Sequence, residues 1–132
     1  MIYFADTYYF LARVNSSDSA HTRAIAIPAH SSDRLVTTEW VLMEVADGLC
    51  DSRNRSVFLG IYDRLQTAPN VEIVEASHVS WVAGLDLYRK RRDKDWSLTD
   101  CISFLVMKDR GLTQALTADH HFEQAGFVAL LK

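Results

Sequence analysis

Short apolar runs alternate along this 132-residue chain with longer segments whose apolar residues recur at helical spacing. The runs typical of strands are residues 2–5, 34–38, 71–76, 114–118 and 127–131. Helical periodicity is found in residues 7–14, 18–27, 39–49, 56–66, 77–92 and 97–111, with one further turn in 120–126. Short strands that alternate with helices are typical of an α/β fold, with helices on both faces of the sheet. We therefore predict a single three-layer α/β/α domain over residues 1–132, with a mainly parallel central sheet of four to five strands.

Four acidic residues lie where such a sheet places its ligands, outside the carboxyl ends of the strands. Asp6 and Asp119 directly follow the first and fourth predicted strands. Glu44 lies one turn into the helix after the second strand, and Asp100 lies in the first turn of the helix that begins near Ser97. If the first and fourth strands are neighbours, the four carboxylates converge and repel one another. A divalent cation removes that cost, and oxygen ligands suit Mg²⁺ or Mn²⁺.

Each acid also has a purely structural interpretation. Asp6 and Asp119 can cap the helices that follow them, and Asp100 can complete a capping box with Ser97. Glu44 is harder to explain as structure, because it interrupts an apolar helical face and a buried unpaired acid is costly. The functional interpretation therefore depends on the four acids together.

Composition leaves the class of function open. The net charge is −3 and 48% of the residues are hydrophobic, which is ordinary for a globular domain and does not indicate nucleic acid. No apolar run reaches the roughly 18 residues that a membrane span needs, and the N-terminus has no basic leader, so we expect a cytoplasmic protein without a membrane.

Cys50 and Cys101 lie in apolar helical patterns and are expected to be buried thiols. His120 and His121 are expected to point apart, exposed or as a local cap, and no Cys/His pair has zinc-finger spacing.

Four segments, in this order, resemble the PIN domain: FADTYYFLA (4–12), VTTEWVLMEVADGL (36–49), DWSLTDCISFLVM (95–107) and LTADHHFEQAGF (116–127). The likeness is to the VapC-type toxins of toxin–antitoxin pairs and covers nearly the whole chain. It implies a Mg²⁺- or Mn²⁺-dependent endoribonuclease whose catalytic and metal-binding acids match Asp6, Glu44, Asp100 and Asp119. Thr117 matches a small hydroxyl position of the family. The resemblance also implies an RNA substrate, a homodimer and a cognate antitoxin protein.

An acidic pocket repels RNA, so the substrate needs cations nearby. The segment RKRRDK, residues 89–94, supplies five of them: Arg89, Lys90, Arg91, Arg92 and Lys94. They can hold phosphates, or they can form a solvated helix end, where cations also suit the helix dipole. Tyr8, Tyr9 and Trp40 can stack bases or belong to the core.

Two other enzyme classes lack their signatures. A phosphatase would carry two aspartates separated by one residue, where this chain has D-T-Y at residues 6–8, and the acid pair and late lysine of a receiver domain are absent. The remaining alternative is a catalytically silent PIN-like module that binds RNA or protein, and the four intact acids argue against it. The apolar first helix, residues 7–14, is expected to serve an interface or the core.

Overall fold

A five-stranded parallel sheet forms the centre of the protein in a computed structural model that describes residues 1–132. Its strands are β1 (Ile2–Ala5), β2 (Arg34–Thr38), β3 (Val71–Val74), β4 (Gln114–Leu116) and β5 (Val128–Ala129). The strand order is β3-β2-β1-β4-β5, and every neighbouring pair is parallel. The predicted α/β fold is confirmed, with a sheet that is wholly rather than mainly parallel.

Helices supply the crossovers that parallel strands require. They are α1 (Thr7–Val14), α2 (His21–Ala26), α3 (Glu39–Gly48), α4 (Arg55–Thr67), α5 (His78–Lys90), α6 (Leu98–Asp109) and α7 (His120–Gln124). The hydrophobic core joins the central strands β1, β2 and β4 to the inner faces of α1, α3 and α6. No helix is long and apolar enough to cross a membrane.

Several elements are shorter than the sequence pattern predicts, and for three of them local contacts give the reason. The strand predicted over 71–76 ends at Val74, because its partner β2 ends at Thr38, which pairs with Val74. The helix predicted over 18–27 starts only at His21, since the Asp18 side chain accepts a hydrogen bond from the Ala20 backbone N–H and forms a turn there. The strand predicted over 127–131 contains only two residues, which pair with β4 at the edge of the sheet.

The apolar first helix belongs to the core. Tyr9 and Phe10 are buried, and the Tyr9 hydroxyl donates to the Ile27 carbonyl at 2.7 Å. The prediction for the cysteines is half wrong: Cys101 is buried in α6, but Cys50 is exposed. Cys50 lies beyond the end of α3, so the apolar helical pattern does not extend to it.

The strand order brings the acidic residues together at one edge of the sheet. Ala5 of β1 pairs with Leu116 of β4, so the two strands are neighbours and end side by side. Asp6 and Thr117 are the next residues in each chain segment. The condition that the sequence left open, adjacency of the first and fourth strands, is therefore met.

Candidate metal centre

Asp6 lies at the middle of this edge and is almost completely buried, with 6% of its surface exposed. The Thr117 hydroxyl donates to Asp6 Oδ2 at 2.9 Å and accepts from the Asp119 backbone N–H at 3.1 Å. Thr117 therefore ties Asp6 to the loop that carries Asp119. Although Asp6 occupies the N-cap position of α1, its side chain makes no capping hydrogen bond. Asp6 is therefore the N-cap residue of α1 by position, as the structural interpretation predicted, but its carboxylate does not cap the helix.

The charge of Asp6 is poorly compensated. Burial in a low-dielectric environment raises the pKa of the Asp6 carboxyl from 3.8 to about 7, although the hydrogen bond from Thr117 lowers it. The negative charges of Asp100 and Glu44 raise this pKa further. The carboxylates are thus close enough to interact, and the centre lacks positive charge.

Asp100 is a helix cap and a member of the centre at once. Its Oδ2 accepts from the Ser97 backbone N–H at 3.1 Å, and Ser97 Oγ accepts from the Asp100 backbone N–H at 3.0 Å, which completes the predicted capping box. The same Oδ2 lies 3.1 Å from His121 Nδ1. Burial raises the pKa of Asp100, the charge of Asp119 adds to this, and the contacts with Ser97 and His121 oppose it. Asp100 Oδ2 therefore contacts both the N-terminal end of α6 and the imidazole ring of His121.

Glu44 is half-buried on α3, and a neighbour of Asp6 holds it in place. The Thr7 hydroxyl donates to Glu44 Oε1 at 2.6 Å. Because the charge of Glu44 raises the pKa of Asp6, the two carboxylates belong to one electrostatic cluster. Sequence reasoning missed Thr7. Its position directly after Asp6, in D-T, is the only sequence signal that points to it.

Asp119 and the two histidines after it form the outer part of the centre. Asp119 Oδ1 accepts from the His121 backbone N–H at 2.9 Å, which caps α7. His121 Nδ1 lies 3.4 Å from the same oxygen, and His120 Nδ1 lies 3.6 Å from it. The potential ligand atoms of the three residues are all within 4.8 Å of one another.

The prediction that the two histidines point apart is therefore wrong. Their ring centroids are 4.5 Å apart, and both rings lie against Asp119. Both residues are in the first turn of a five-residue helix, where the capping carboxylate attracts N–H groups. The run D-H-H at residues 119–121, with three consecutive metal-binding side-chain types, is the signal that sequence reasoning passed over.

The basic segment, residues 89–94, divides into paired and unpaired cations. Arg91 donates to both carboxylate oxygens of Asp93, at 3.0 and 3.1 Å, and its guanidinium carbon lies 4.9 Å from the Trp96 ring centroid. Lys90 pairs with Asp86 at 2.8 Å. Arg91 and Lys90 are therefore engaged by acids of their own segment and helix.

Arg89 and Arg92 are exposed and Lys94 is half-buried, and none of the three has an ion-pair partner. A cavity beside Ser97, which begins the Asp100 helix, is lined by Arg92 and Lys94. Two of the three unpaired cations, Arg92 and Lys94, thus lie beside the residue that caps the Asp100 helix. Of the proposed stacking aromatics, Tyr9 is core, and Trp40 stacks on Trp81 with centroids 5.9 Å apart.

The donor set fits a divalent cation. Four carboxylates surround the carboxyl ends of β1 and β4, and two of them, Asp6 and Asp100, have raised pKa values. A bound cation would lower these pKa values by stabilising the charged forms. Hydrogen bonds from Thr7 to Glu44 and from Thr117 to Asp6 already orient two of the carboxylates. Metal binding would therefore require less movement of their side chains.

Comparisons with known proteins agree with this fold. A relative from Mycobacterium tuberculosis (strain ATCC 25618 / H37Rv), named 23S rRNA-specific endonuclease VapC20, is 29% identical over 130 residues, 95% of each chain. The crystal structure of Mycobacterium tuberculosis VapC20, described as a Sarcin-Ricin loop cleaving toxin, is similar with a TM-score of 0.84 and 23% identity over 97% of both chains. The structure of VapBC2 from Rickettsia felis, bound to a DNA fragment from their promoter, has a TM-score of 0.68 and 15% identity over 98% of this chain and 96% of that chain.

The family model of the PIN domain matches residues 3–128, nearly the whole chain. That range contains all four acids of the centre and the strands β2, β3 and β4 in full. The chain therefore belongs to the PIN domain family, as the four sequence segments predicted.

Proposed function

We propose that this chain is a VapC-type endoribonuclease that hydrolyses RNA phosphodiester bonds with Mg²⁺ or Mn²⁺. The observation that carries the proposal is Asp6, a carboxylate with 6% of its surface exposed, which Thr117 links to the loop of Asp119 and whose charge interacts with those of Asp100 and Glu44. A buried charge cluster of this kind costs stability unless a ligand neutralises it. The expected enzyme class, a nuclease of the PIN family, is confirmed by the family match and by the relative named as an endonuclease.

The substrate class is proposed from the relatives. VapC20 is named as specific for 23S rRNA, and its structure is described as that of a toxin that cleaves the Sarcin-Ricin loop. We propose that the present chain also cleaves ribosomal RNA. Ribosomal RNA is cytoplasmic, so the proposed activity belongs in the cytoplasm.

Different residues of the centre have different roles in the proposed reaction. The ion would be held by Asp6, Asp100, Glu44 and Asp119. A divalent cation supplies Lewis acidity there, which lowers the pKa of bound water and offsets negative charge on the phosphate. Thr117 orients Asp6, and Thr7 orients Glu44, a half-buried carboxylate that would accept a proton from the attacking water. Attack by water rather than by the RNA 2′-hydroxyl leaves 5′-phosphate and 3′-hydroxyl ends.

The decisive experiment combines Asp6→Asn with removal of metal. The purified parent should cleave 23S rRNA in Mg²⁺ or Mn²⁺, and EDTA or Asp6→Asn should abolish cleavage while the circular dichroism spectrum stays that of a folded chain. Sequencing of the RNA ends should find 5′-phosphates at the cut. A parent that cleaves equally well in EDTA would refute the mechanism. A folded parent that neither binds Mn²⁺ nor cleaves RNA would be the catalytically silent module.

We also propose that Arg89, Arg92 and Lys94 hold RNA phosphates, whereas Arg91 and Lys90 mainly stabilise the helix end through their own acids. Replacing Arg92 and Lys94 with Ala should weaken RNA binding at all sequences. It should also lower the slope of log affinity against log salt by about 1 to 2, because each phosphate contact with single-stranded RNA contributes about 0.7.

A control with the same loss of charge is available at the opposite edge of the sheet. Arg34 begins β2 and is exposed there, and Arg23 is exposed on α2. The double variant Arg23→Ala, Arg34→Ala removes two charges away from the centre, so it should keep the parent's salt slope. Equal slopes for both double variants would show that net charge, not position, controls RNA binding.

A homodimer and an antitoxin partner complete the proposal. The structure of VapBC2 from Rickettsia felis, which has a similar fold, was solved bound to a DNA fragment from their promoter. In the present chain α5 exposes apolar side chains at Val79, which is 80% exposed, and at Val82 and Trp81. Exposed apolar clusters of this kind mark protein interfaces. Light scattering should give twice the monomer mass, and Val79→Lys with Val82→Lys should return the protein to a monomer.

A further inference from the structure

The acidic centre is not chemically uniform. One end carries only oxygen ligands, from Asp6 and Glu44, whose neighbours are the hydroxyls of Thr117 and Thr7. The other end carries nitrogen, because His120 and His121 both lie against Asp119. Asp100 joins the two ends, since its charge raises the pKa of Asp6 and its Oδ2 contacts His121.

The nitrogen end has the spacing of a metal site. His121 Nδ1 and His120 Nδ1 lie 3.4 and 3.6 Å from the single oxygen Asp119 Oδ1. Ligand atoms that bind a tetrahedral ion at about 2.0 to 2.1 Å are separated from one another by about 3.3 Å. These two separations are close to this value, and the ligand atoms of all three residues lie within 4.8 Å of one another, so side-chain rotations would bring three ligand atoms onto one ion.

The Asp119 carboxylate is also oriented by hydrogen bonds of its own loop. Its Oδ1 accepts from the His121 backbone N–H at 2.9 Å, and its own backbone N–H donates to Thr117 Oγ1. His121 is largely shielded, with 18% of its side chain exposed, whereas the His120 side chain is 66% exposed. The group therefore offers one fixed carboxylate, one sheltered imidazole and one imidazole on the solvent side, which leaves a position open to water or substrate.

We propose that Asp119, His120 and His121 bind a zinc-class divalent ion, such as Zn²⁺ or Co²⁺, and that this site is distinct in its metal preference from the oxygen ligands of Asp6 and Glu44. Imidazole nitrogen favours Zn²⁺ and the later transition metals, while carboxylate and water favour Mg²⁺. The inference rests on the proposed function to the extent that Asp119 belongs to both. It adds that the nuclease centre holds a second, softer ion at its outer end.

Co²⁺ is the probe for this site, because it replaces Zn²⁺ and absorbs strongly in the visible region when tetrahedral. Titration of the full-length parent with Co²⁺, without RNA, should produce that absorption band, with an affinity at least tenfold higher than for Mg²⁺ measured by calorimetry. The variant His120→Gln, His121→Gln should weaken Co²⁺ binding at least tenfold and abolish the band. Its Mg²⁺ affinity should change less than twofold.

His78→Gln is the matched control, since His78 is exposed at the start of α5 and should leave the Co²⁺ titration unchanged. If the histidines only hydrogen-bond the carboxylates, the double variant will change Co²⁺ and Mg²⁺ affinities by equal factors, which overturns the proposal. The two proposals also fail separately. A parent that cleaves RNA in Mg²⁺ but lacks the Co²⁺ band refutes this site alone, and a parent with the band that cleaves no RNA refutes the nuclease function alone.

Discussion

Replacing Asp6 with Asn should stabilise the metal-free protein while it destroys metal binding. Asp6 is buried and its pKa rises from 3.8 to about 7, chiefly because burial penalises the charged form. Asn has nearly the same shape, and its amide oxygen can still accept the hydrogen bond that the Thr117 hydroxyl donates to Asp6 Oδ2. The substitution therefore removes a costly charge and keeps the packing.

The size of the effect follows from the pKa. A rise from 3.8 to about 7 corresponds to about 4 kcal/mol between the charged forms in the folded and unfolded states. At pH 8, where Asp6 of the parent is ionised, the Asp6→Asn variant should recover most of this free energy of unfolding. In a domain of this length, about 4 kcal/mol raises the melting temperature by roughly 10 to 15 °C.

The pH dependence has a definite sign. Below about pH 4 the Asp6 carboxyl is protonated in both the folded and the unfolded state, so parent and variant should be similarly stable. Between about pH 4 and pH 7 the unfolded state has lost this proton and the folded state has kept it, so the parent loses stability relative to Asp6→Asn as the pH rises. Above about pH 7 the difference should be constant. Other acids titrate in both proteins, and the comparison between them therefore isolates Asp6.

Urea unfolding of both proteins in EDTA at pH 4, 6 and 8 measures this difference, and the same curves with Mn²⁺ measure the metal. The parent should gain stability from Mn²⁺ by mass action, and Asp6→Asn should gain little. A variant that is less stable than the parent at pH 8 in EDTA would refute the reasoning from burial. A difference that does not change with pH would show that Asp6 is not the group with the raised pKa.

The remaining predictions concern α6, its neighbour α5, and α4. Ser97→Ala should cost about 1 kcal/mol of stability, as a lost N-cap does. Asp100→Asn should cost less, because the Asn amide oxygen can still accept the hydrogen bond from the Ser97 backbone N–H. Asp100→Asn should nevertheless abolish the Mn²⁺-induced rise in melting temperature. A large Mn²⁺-induced rise that survives in Asp100→Asn would make Asp100 only a cap. Gly84→Ala should destabilise by about 1 to 3 kcal/mol, because the added Cβ would lie 2.4 Å from Ile102 Cγ1. Gly60→Ala, which meets nothing within 4 Å inside α4, should instead stabilise the protein slightly in the same thermal melts.

The sequence alone determined which residues are candidates for the metal centre and roughly where the strands and helices lie. Apolar runs and helical spacing are local properties, so β1, β2 and α3 follow the predicted limits closely. In a parallel sheet every strand points the same way, so residues that follow strands reach the same edge whatever the strand order. Asp6 and Asp119 could therefore be assigned to one edge from their positions after apolar runs. The capping box of Ser97 and Asp100 could be predicted because it spans only three residues.

Tertiary structure decided which of these groups touch and how they are charged. The Thr117–Asp6 hydrogen bond joins residues 111 positions apart, and the contact of His121 with Asp100 spans 21 positions. No local pattern encodes such pairs, because they depend on strand order and on how α6 and α7 pack. The pKa of Asp6 is also a tertiary property, since burial by distant segments, not the identity of its neighbours in the chain, is its largest cause. An aspartate in the sequence specifies a carboxyl group, and only the fold around it decides how much water that carboxyl loses and therefore how strongly the site favours a cation.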